Sequence, residues 1–398
     1  MKRILIVYPD MSVGGSTTSL LGILNNIDYE KYSIDLLLYR NSGDFFNHLP
    51  KNVKILPQAC KVNSVYDERM MKIFSPKSLF MRIKAGHAAR KLKRPIVKSQ
   101  IMCYENARHS RRIDDEYDIA VAFLEGWPCD YVSKYINAKN KIAWIHVDYL
   151  AAGFEPEYDR KMFREFKKIV CVSDKCVEVF QSCFPDMKER VVAIENISSP
   201  EMIKELSKQK IPDLQLDPEK INLVTVCRIN FTHKGLDRGV EAFKKLRDID
   251  RINNLCWYII GDGDDEIALA NMVRKYDLDD RIVLLKMKIN PFPYVVNMDA
   301  FFLPSRYEGK PMAVTEALIL GIPVIVTNYA SAQTQVNNGV TGIILENSSD
   351  GVYTSLKELA NGEKLKEIRN NLRTFEVVFD KEIKEIYDIF ENDRERNG

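Results

Sequence analysis

Short apolar runs separated by polar, helix-forming stretches dominate the chain. In the first half they are Ile4–Tyr8, Ile34–Tyr39, Ile119–Leu124, Lys141–His146, Ile169–Ser173 and Val191–Ile197. In the second half they are Ile221–Val226, Cys256–Ile260, Ile282–Leu285, Ala300–Leu303 and Pro323–Thr327. Most are continuously apolar rather than alternating, which predicts strands buried on both faces of a parallel sheet. Between several of them the apolar period lengthens to that of a helix, as in Thr17–Asn26, Leu236–Arg247, Glu266–Tyr276 and Pro311–Leu320. Repeated strand–helix alternation predicts an α/β chain with right-handed crossovers.

The pattern is interrupted once, at the polar stretch Ser198–Glu219 with Pro200, Pro212 and Pro218. The break predicts a first domain over 1–198, a linker over 199–219 and a second domain over 220–374. With 398 residues the chain has room for both. From Glu363 to Glu391 charged residues alternate with Leu365, Ile368, Leu372, Phe375, Ile383, Ile386 and Ile389, at helical spacing. Residues 375–398 are expected to carry the terminal helix.

Chemistry can collect in the loops that follow the strands. In open parallel sheets, ligands lie outside the carboxyl ends of the strands. Gly14-Gly15 follows the first strand and lets a ligand approach the backbone at a helix N-terminus. Glu125, His146 and Asp148 stand at or just past later strand ends. In the second half, Arg228 and Lys234 lie six apart in a strand-to-helix loop, a fork and a point charge suited to a diphosphate. The loop Ser305–Lys310 precedes a helix with Pro311 at its first position and Gly321 after its end. Glu308 lies at the mouth of that helix and Glu316 inside it; carboxylates accept strongly from sugar hydroxyls. Asp262-Gly-Asp264-Asp265 invites a metal reading, but it reads as a turn after a strand, with no further oxygen ligands nearby. Each signal has an ordinary structural alternative: capped helices, a tight turn, a core histidine, exposed loop cations.

Composition narrows the choices. Net charge is +2, and eight cysteines lie scattered without a C-x-x-C pair among only five histidines. This argues against zinc and for a reducing compartment. The apolar start is too short for a signal sequence, and no run approaches the ~20 residues of a membrane span; a cytoplasmic location is expected. Within 72–112, twelve Lys and Arg face a single acid, Glu105, with Met71, Ile73, Phe74, Leu79, Phe80, Met81, Ile83 and Leu92 interleaved. That mixture suits an anionic lipid surface, with a solvated helical face as the alternative. Nucleic acid is disfavoured because no recognition motif accompanies the charge.

The motif Ser305-x-x-Glu308-Gly309-x-Pro311-x4-Glu316-Ala317, followed by Gly321-x-Pro323, resembles the signature of retaining family-4 glycosyltransferases of the GT-B fold. Arg228-x5-Lys234-Gly235 resembles their pyrophosphate loop, with Cys227 where Gly is usual. Trp144-Ile145-His146-x-Asp148 and Leu124–Pro128 resemble the acceptor-domain segments of the bacterial surface-polysaccharide type. The resemblance implies two Rossmann-like domains facing a cleft, with a C-terminal helix crossing back to the first domain. It implies retaining, metal-independent transfer of a hexose from a nucleoside-diphosphate sugar, UDP-linked by preference, to a glycan acceptor that is lipid-linked. No cofactor is expected. Arg228, Lys234, Glu308 and His146 would be catalytic. Gly14, Gly15, Gly309, Lys310, Pro311, Met312 and Glu316 would hold the donor, and Glu125 and Asp148 would lie on the acceptor side. The implied place of work is the inner face of the cell membrane, as a peripheral protein. A sugar-nucleotide epimerase of the same fold and a non-catalytic nucleotide-sugar-binding protein are the alternatives.

Overall fold

A computed structural model describes residues 1–60, 76–94, 96–211, 214 and 216–391, with backbone alone for 76–82. The chain divides into two compact units, Met1–Ile197 with Phe379–Gly398, and Ser198–Val378.

The first unit is built on β1 (Lys2–Tyr8), β2 (Tyr32–Leu38), β3 (Lys54–Ile55), β4 (Glu116–Ala122), β5 (Asn137–Ile145), β6 (Lys168–Cys171) and β7 (Val191–Ala193). They form one parallel sheet in the order β3-β2-β1-β4-β5-β6-β7. Ile4 is registered against Ile34 on one side and Ile119 on the other, so the first strand of the chain lies inside the sheet. Its buried run Ile4–Tyr8 follows from that position. The last strand ends at Ala193 rather than reaching Ile197. One sheet face is covered by a cluster that includes Tyr149, Phe163, Phe180 and Phe184, whose rings lie 4.6–6.1 Å apart. The basic stretch supplies two helices, Pro76–Leu92 and Ile96–His109, packed on each other.

The second unit contains β8 (Ile221–Val226), β9 (Leu255–Ile260), β10 (Ile282–Lys286), β11 (Ala300–Leu303), β12 (Val324–Thr327) and β13 (Gly342–Leu345). These are parallel, in the order β10-β9-β8-β11-β12-β13. Strand order reverses between β8 and β11, so the loops after these two strands flank the point where such sheets bind ligands. Helix Leu236–Asp248 buries Leu236, Val240, Phe243 and Leu246 against the sheet, with Phe243 stacked on Trp257 at 5.7 Å.

The stretch expected to link the units begins with the helix Pro200–Leu206, capped by the Ser199 hydroxyl, and belongs to the second unit; Pro212 lies outside the described residues. The charged stretch Glu363–Glu391 is two helices, not one. Glu363–Leu372 packs in the second unit and Asp380–Glu391 in the first. In the latter, Tyr387 stacks on Tyr32 at 5.6 Å and donates from its hydroxyl toward the Asn26 carbonyl, while the Asp28 N–H donates to Tyr387 Oη at 2.8 Å. Lys2 Nζ donates to the Phe390 carbonyl at 2.9 Å. The sequence did not announce β13, where Gly339 and Gly342 break up the apolar pattern, or the helix Ser349–Leu359, whose buried apolar residues are only Val352, Leu356 and Leu359.

Candidate functional site

In the second unit the loops after β8 and β11 meet. Lys234 Nζ donates to Glu308 Oε1 at 2.6 Å, and the Ser305 hydroxyl donates to the same oxygen at 2.6 Å. The two charged side chains retain only 22% and 9% of their exposure, so solvent screens this pair weakly. Arg228 is placed differently. It is 69% exposed and pairs with Asp264 at 2.8 Å. The sequence suggested that Arg228 and Lys234 converge on one anion; in the structure each is held by a carboxylate of its own.

The Asp262–Asp265 turn serves that loop. Asp265 accepts from the Phe231 N–H at 2.7 Å, and the Asp262 carbonyl accepts from the Ile229 N–H at 2.7 Å. A Cβ on Gly261 would collide with the Cys227 carbonyl, so glycine is required where the turn backs onto the loop. With Asp264 on Arg228 and Asp265 on the backbone, two of the three carboxylates are committed. Cys227, the departure from the family pattern, is half-buried, and dehydration pushes its thiol up to about 12.

Two arginines, Arg306 and Arg238, weld the two loops together. Arg306 forks onto Asp237 at 2.6 and 2.8 Å and donates to the Phe231 carbonyl at 2.6 Å. The Arg306 and Tyr307 N–H groups both donate to the His233 carbonyl. Arg238 is fully buried and donates to the carbonyls of Pro304 at 2.8 Å and Ser305 at 2.5 Å, and to Asn347 Oδ1 at 2.8 Å. Dehydration pulls its pKa down to about 10, which leaves it a cation at neutral pH. Gly235, at φ +61°, lies where a Cβ would strike the Pro304 carbonyl.

Helix Met312–Ile319 begins one residue later than expected, with Pro311 as its extended cap rather than its first turn. The Ser331 hydroxyl donates to the Gly309 carbonyl, and Gln335 Nε2 donates to the Pro311 carbonyl at 2.9 Å. In a trans peptide the N–H points opposite the C=O, so the N–H groups of Lys310 and Met312 face away from Ser331 and Gln335. Pro311 itself has none to offer, so of the residues expected to hold the donor it contributes no backbone N–H. The Glu316 carboxyl, one turn into the helix, has no hydrogen bond or ion pair among the described residues, and loss of water pushes its pKa up to about 7.

The first unit places its expected residues at the ends of β1, β4 and β5. Gly14 caps helix Gly15–Asn26, and a Cβ at Gly15 would meet open space, so neither glycine is demanded by the turn itself. His146 packs edge-on against Phe123 at 4.9 Å, and both ring nitrogens are buried with no well-formed hydrogen bond among the described residues. Burial pulls its pKa down to about 3, so it is a neutral polar group rather than a proton donor in the imidazolium form. Two residues expected on the acceptor side have structural duties. Glu125 Oε2 accepts from the His146 N–H at 3.0 Å, and Asp148 Oδ1 accepts from the Ala151 N–H at 2.9 Å. Burial raises the Glu125 pKa.

Of the residues not anticipated, Arg306 was open to notice, being next to Ser305 in the quoted motif. Arg238 was not: an arginine early in an amphipathic helix reads as exposed.

Residues 207–374 match the family model described as glycosyl transferases group 1. An uncharacterized glycosyltransferase of Methanocaldococcus jannaschii is 24% identical over 213 residues, 52% of either chain. The UDP-Gal:alpha-D-GlcNAc-diphosphoundecaprenol alpha-1,3-galactosyltransferase of Escherichia coli is 30% identical over 158 residues, 38% of this chain and 40% of that one. The chain thus spans about half the length, or less, of these curated relatives. Among solved structures, Anabaena HepE in complex with UDP and glucose has the same fold over 98% of this chain and 99% of its own, with a TM-score of 0.60 at 14% identity.

Proposed function

We propose that this chain, whose second unit belongs to the glycosyl transferases group 1 and which has the GT-B fold, transfers a hexose from a UDP-sugar to a glycan hydroxyl in surface-polysaccharide synthesis. The observation that carries the reading is the meeting of Lys234, Glu308 and Ser305 at the carboxyl ends of β8 and β11. When the donor enters, its diphosphate takes Lys234 and Arg228 away from Glu308 and Asp264. The two cations then stabilise the charge that grows on the departing diphosphate, where preorganised charge acts most strongly. Glu308, released from Lys234 but held by Ser305, accepts from the sugar's hydroxyls. The N–H groups of Lys310 and Met312 add donors. The acceptor oxygen bonds to the anomeric carbon as the bond to the diphosphate oxygen breaks, and the acceptor's proton passes to that oxygen. Retention requires both events on one face of the sugar. The guanidinium and ammonium supply the positive charge, so no metal is needed.

The test is incubation with a panel of nucleotide sugars in EDTA, with and without a lipid-linked glycan. Release of UDP only when acceptor is present is expected. An altered sugar nucleotide without acceptor would make the protein an epimerase, binding without turnover would make it a sensor, and activity restored only by Mn²⁺ would overturn the charge assignment.

Glu316 is assigned to the nucleotide's ribose, whose hydroxyls need an ionised acceptor. Its raised pKa therefore makes UDP binding strengthen as pH rises through about 7. The sign for stability is opposite. The neutral carboxyl favours the folded state, and this contribution is complete below the unfolded value near 4.5 and lost as pH rises through about 7. Calorimetry of UDP binding from acid to alkaline pH is expected to show a smaller rise in Glu316→Gln than in the parent, the remainder coming from ionisation of UDP's terminal phosphate at about pH 6. An equal rise in parent and variant removes Glu316 from the ribose.

The basic helices are assigned to an anionic membrane surface. Ile83 is 63% exposed, and Lys84, Arg90, Lys91, Leu92, Lys93 and Lys98 are exposed with it. Arg94 is not part of that surface, since it donates to the Phe154 carbonyl at 2.9 Å and pairs with Glu155 at 3.2 Å. Met71, Lys72, Ile73 and Phe74, expected in this surface, lie outside the described residues, as do the side chains of Lys77, Leu79, Phe80, Met81 and Arg82. No helix among the described residues is long and apolar enough to cross a membrane. Each basic residue near such a surface contributes about 1 kcal/mol. Reversing Arg90, Lys91 and Lys93 to Glu while leaving Arg94 intact is expected to abolish sedimentation with phosphatidylserine vesicles. Unchanged sedimentation at physiological salt would leave the helices as a solvated face.

A further inference from the structure

Beside the outer edge of the second unit's sheet lies a cavity of about 680 Å³ whose lining shares with the donor loop only Gln335, the residue that holds the Pro311 carbonyl. Its rim carries Asn328, Gln333, Asn337, Asn338 and Glu346, together with the ring of Phe375, which is 40% exposed. The volume is within the range of small-molecule sites.

The lining excludes most ligands. It holds no lysine, arginine or histidine, so a phosphate, nucleotide or anionic headgroup would find only a carboxylate. Its side chains are chiefly amides and hydroxyls, which is wrong for an acyl chain. A peptide adding to β13 as a strand meets a blocked edge. The Ile344 N–H already donates to Asn338 Oδ1 at 2.9 Å, and the Gly342 carbonyl accepts from the Gly339 N–H at 2.8 Å. The side chains of Asn328, Gln333, Asn337 and Glu346 have no hydrogen bond within the described residues, and Asn338 keeps its amide N–H groups free. Amides offer donors and acceptors together, and a carboxylate accepts twice. This is the complement of adjacent sugar hydroxyls, with an exposed ring to lie against the C–H face of a pyranose.

We propose that this cavity is a second carbohydrate site, taking a short neutral segment of glycan away from the reacting end. Its link to catalysis rests on the transfer reading, since a growing glycan is what would reach it; binding itself does not depend on turnover.

The test is saturation-transfer NMR on the full chain with maltotriose and with chitotriose, in the presence of saturating UDP. Parent, Asn337→Ala, Phe375→Ala and Glu308→Gln are compared, each first checked for an unchanged thermal midpoint. Both pocket positions are exposed, so the variants are expected to fold. Transfer to at least one trisaccharide is expected in the parent and in Glu308→Gln, with a loss of more than tenfold in either pocket variant. No transfer to either trisaccharide in the parent, or transfer unchanged in both pocket variants, overturns the site. A parent that turns over UDP-sugar but shows no trisaccharide binding separates failure of this site from failure of the transfer reading.

Discussion

Lys234→Ala is expected to lower kcat for sugar transfer by about 10²- to 10³-fold, the loss seen when one preorganised donor to a developing anion is removed, about 3–4 kcal/mol. Arg228→Ala should fall in the same direction by less. Arg228 is 69% exposed and screened by water, whereas Lys234 retains 22% of its exposure. The effect belongs in kcat because charge on the leaving diphosphate grows as the bond breaks. Lys234 also carries a second duty. It shares Glu308 Oε1 with the Ser305 hydroxyl, so its removal leaves a poorly solvated carboxylate with one donor. The Lys234→Ala and Glu308→Gln changes should therefore be non-additive, with a coupling of about 0.5–3 kcal/mol in a double-mutant cycle. Steady-state kinetics of the four proteins decide it. A change confined to KM would make Lys234 a ground-state anchor, and strict additivity would mean that the pair does not persist in solution.

Arg238→Met is expected to destabilise the second unit by about 3 kcal/mol, and to lower transfer in the protein that remains folded. The substitution keeps bulk but strips the Pro304 carbonyl of its side-chain donor, leaves the Ser305 carbonyl with only the Thr327 hydroxyl, and takes the donor from Asn347 Oδ1, whose amide still holds the Arg306 and Asn328 carbonyls. Each buried polar atom left without a partner costs about 1–3 kcal/mol. The loop that carries Glu308 starts from those two carbonyls, so its geometry should loosen with them. Arg238→Lys retains the charge but cannot fork, and should recover only part of the loss. Denaturant midpoints and transfer rates measured on the same preparations test this. If Arg238→Met matched the parent in both, the loop would be held without Arg238, by the contacts of Arg306 and Tyr307 with Asp237, Phe231 and His233.

These expectations depend on contacts that differ in how far the chain announces them. The apolar runs that became β1, β4, β5, β8, β9, β11 and β12 were readable because a strand buried on both faces has no room for polar residues, whatever packs beside it. The edge strands β3 and β13 are short and half-wet, and their pattern is correspondingly faint. Single-residue shifts, such as Met312 for Pro311 as the first helical position, come from cap geometry that propensity alone does not resolve. The split of Glu363–Glu391 into two helices was likewise invisible. Its apolar spacing continues through Phe375 and Val378, and only packing in different units separates the two halves.

The candidate site divides along the same line. Spacing and residue type were enough to place Arg228, Lys234 and Glu308 in loops at the carboxyl ends of strands, because a strand-to-helix loop in a parallel sheet must emerge there whatever the rest of the chain does. Partners could not be read this way. Lys234 and Glu308 are 74 positions apart, as Arg238 and Ser305 are 67, and they meet only because β8 and β11 lie side by side in the sheet. The same holds for Glu125 and His146, whose bond joins the ends of β4 and β5. Burial is also a property of the assembled fold. It makes His146 neutral, lifts Glu316 to about 7 and hides the Arg238 guanidinium. The sequence by itself determined which groups stand at the strand ends; which carboxylate each cation holds, and which of them water reaches, was decided by tertiary packing, because desolvation and cross-strand contact exist only once the sheet has formed.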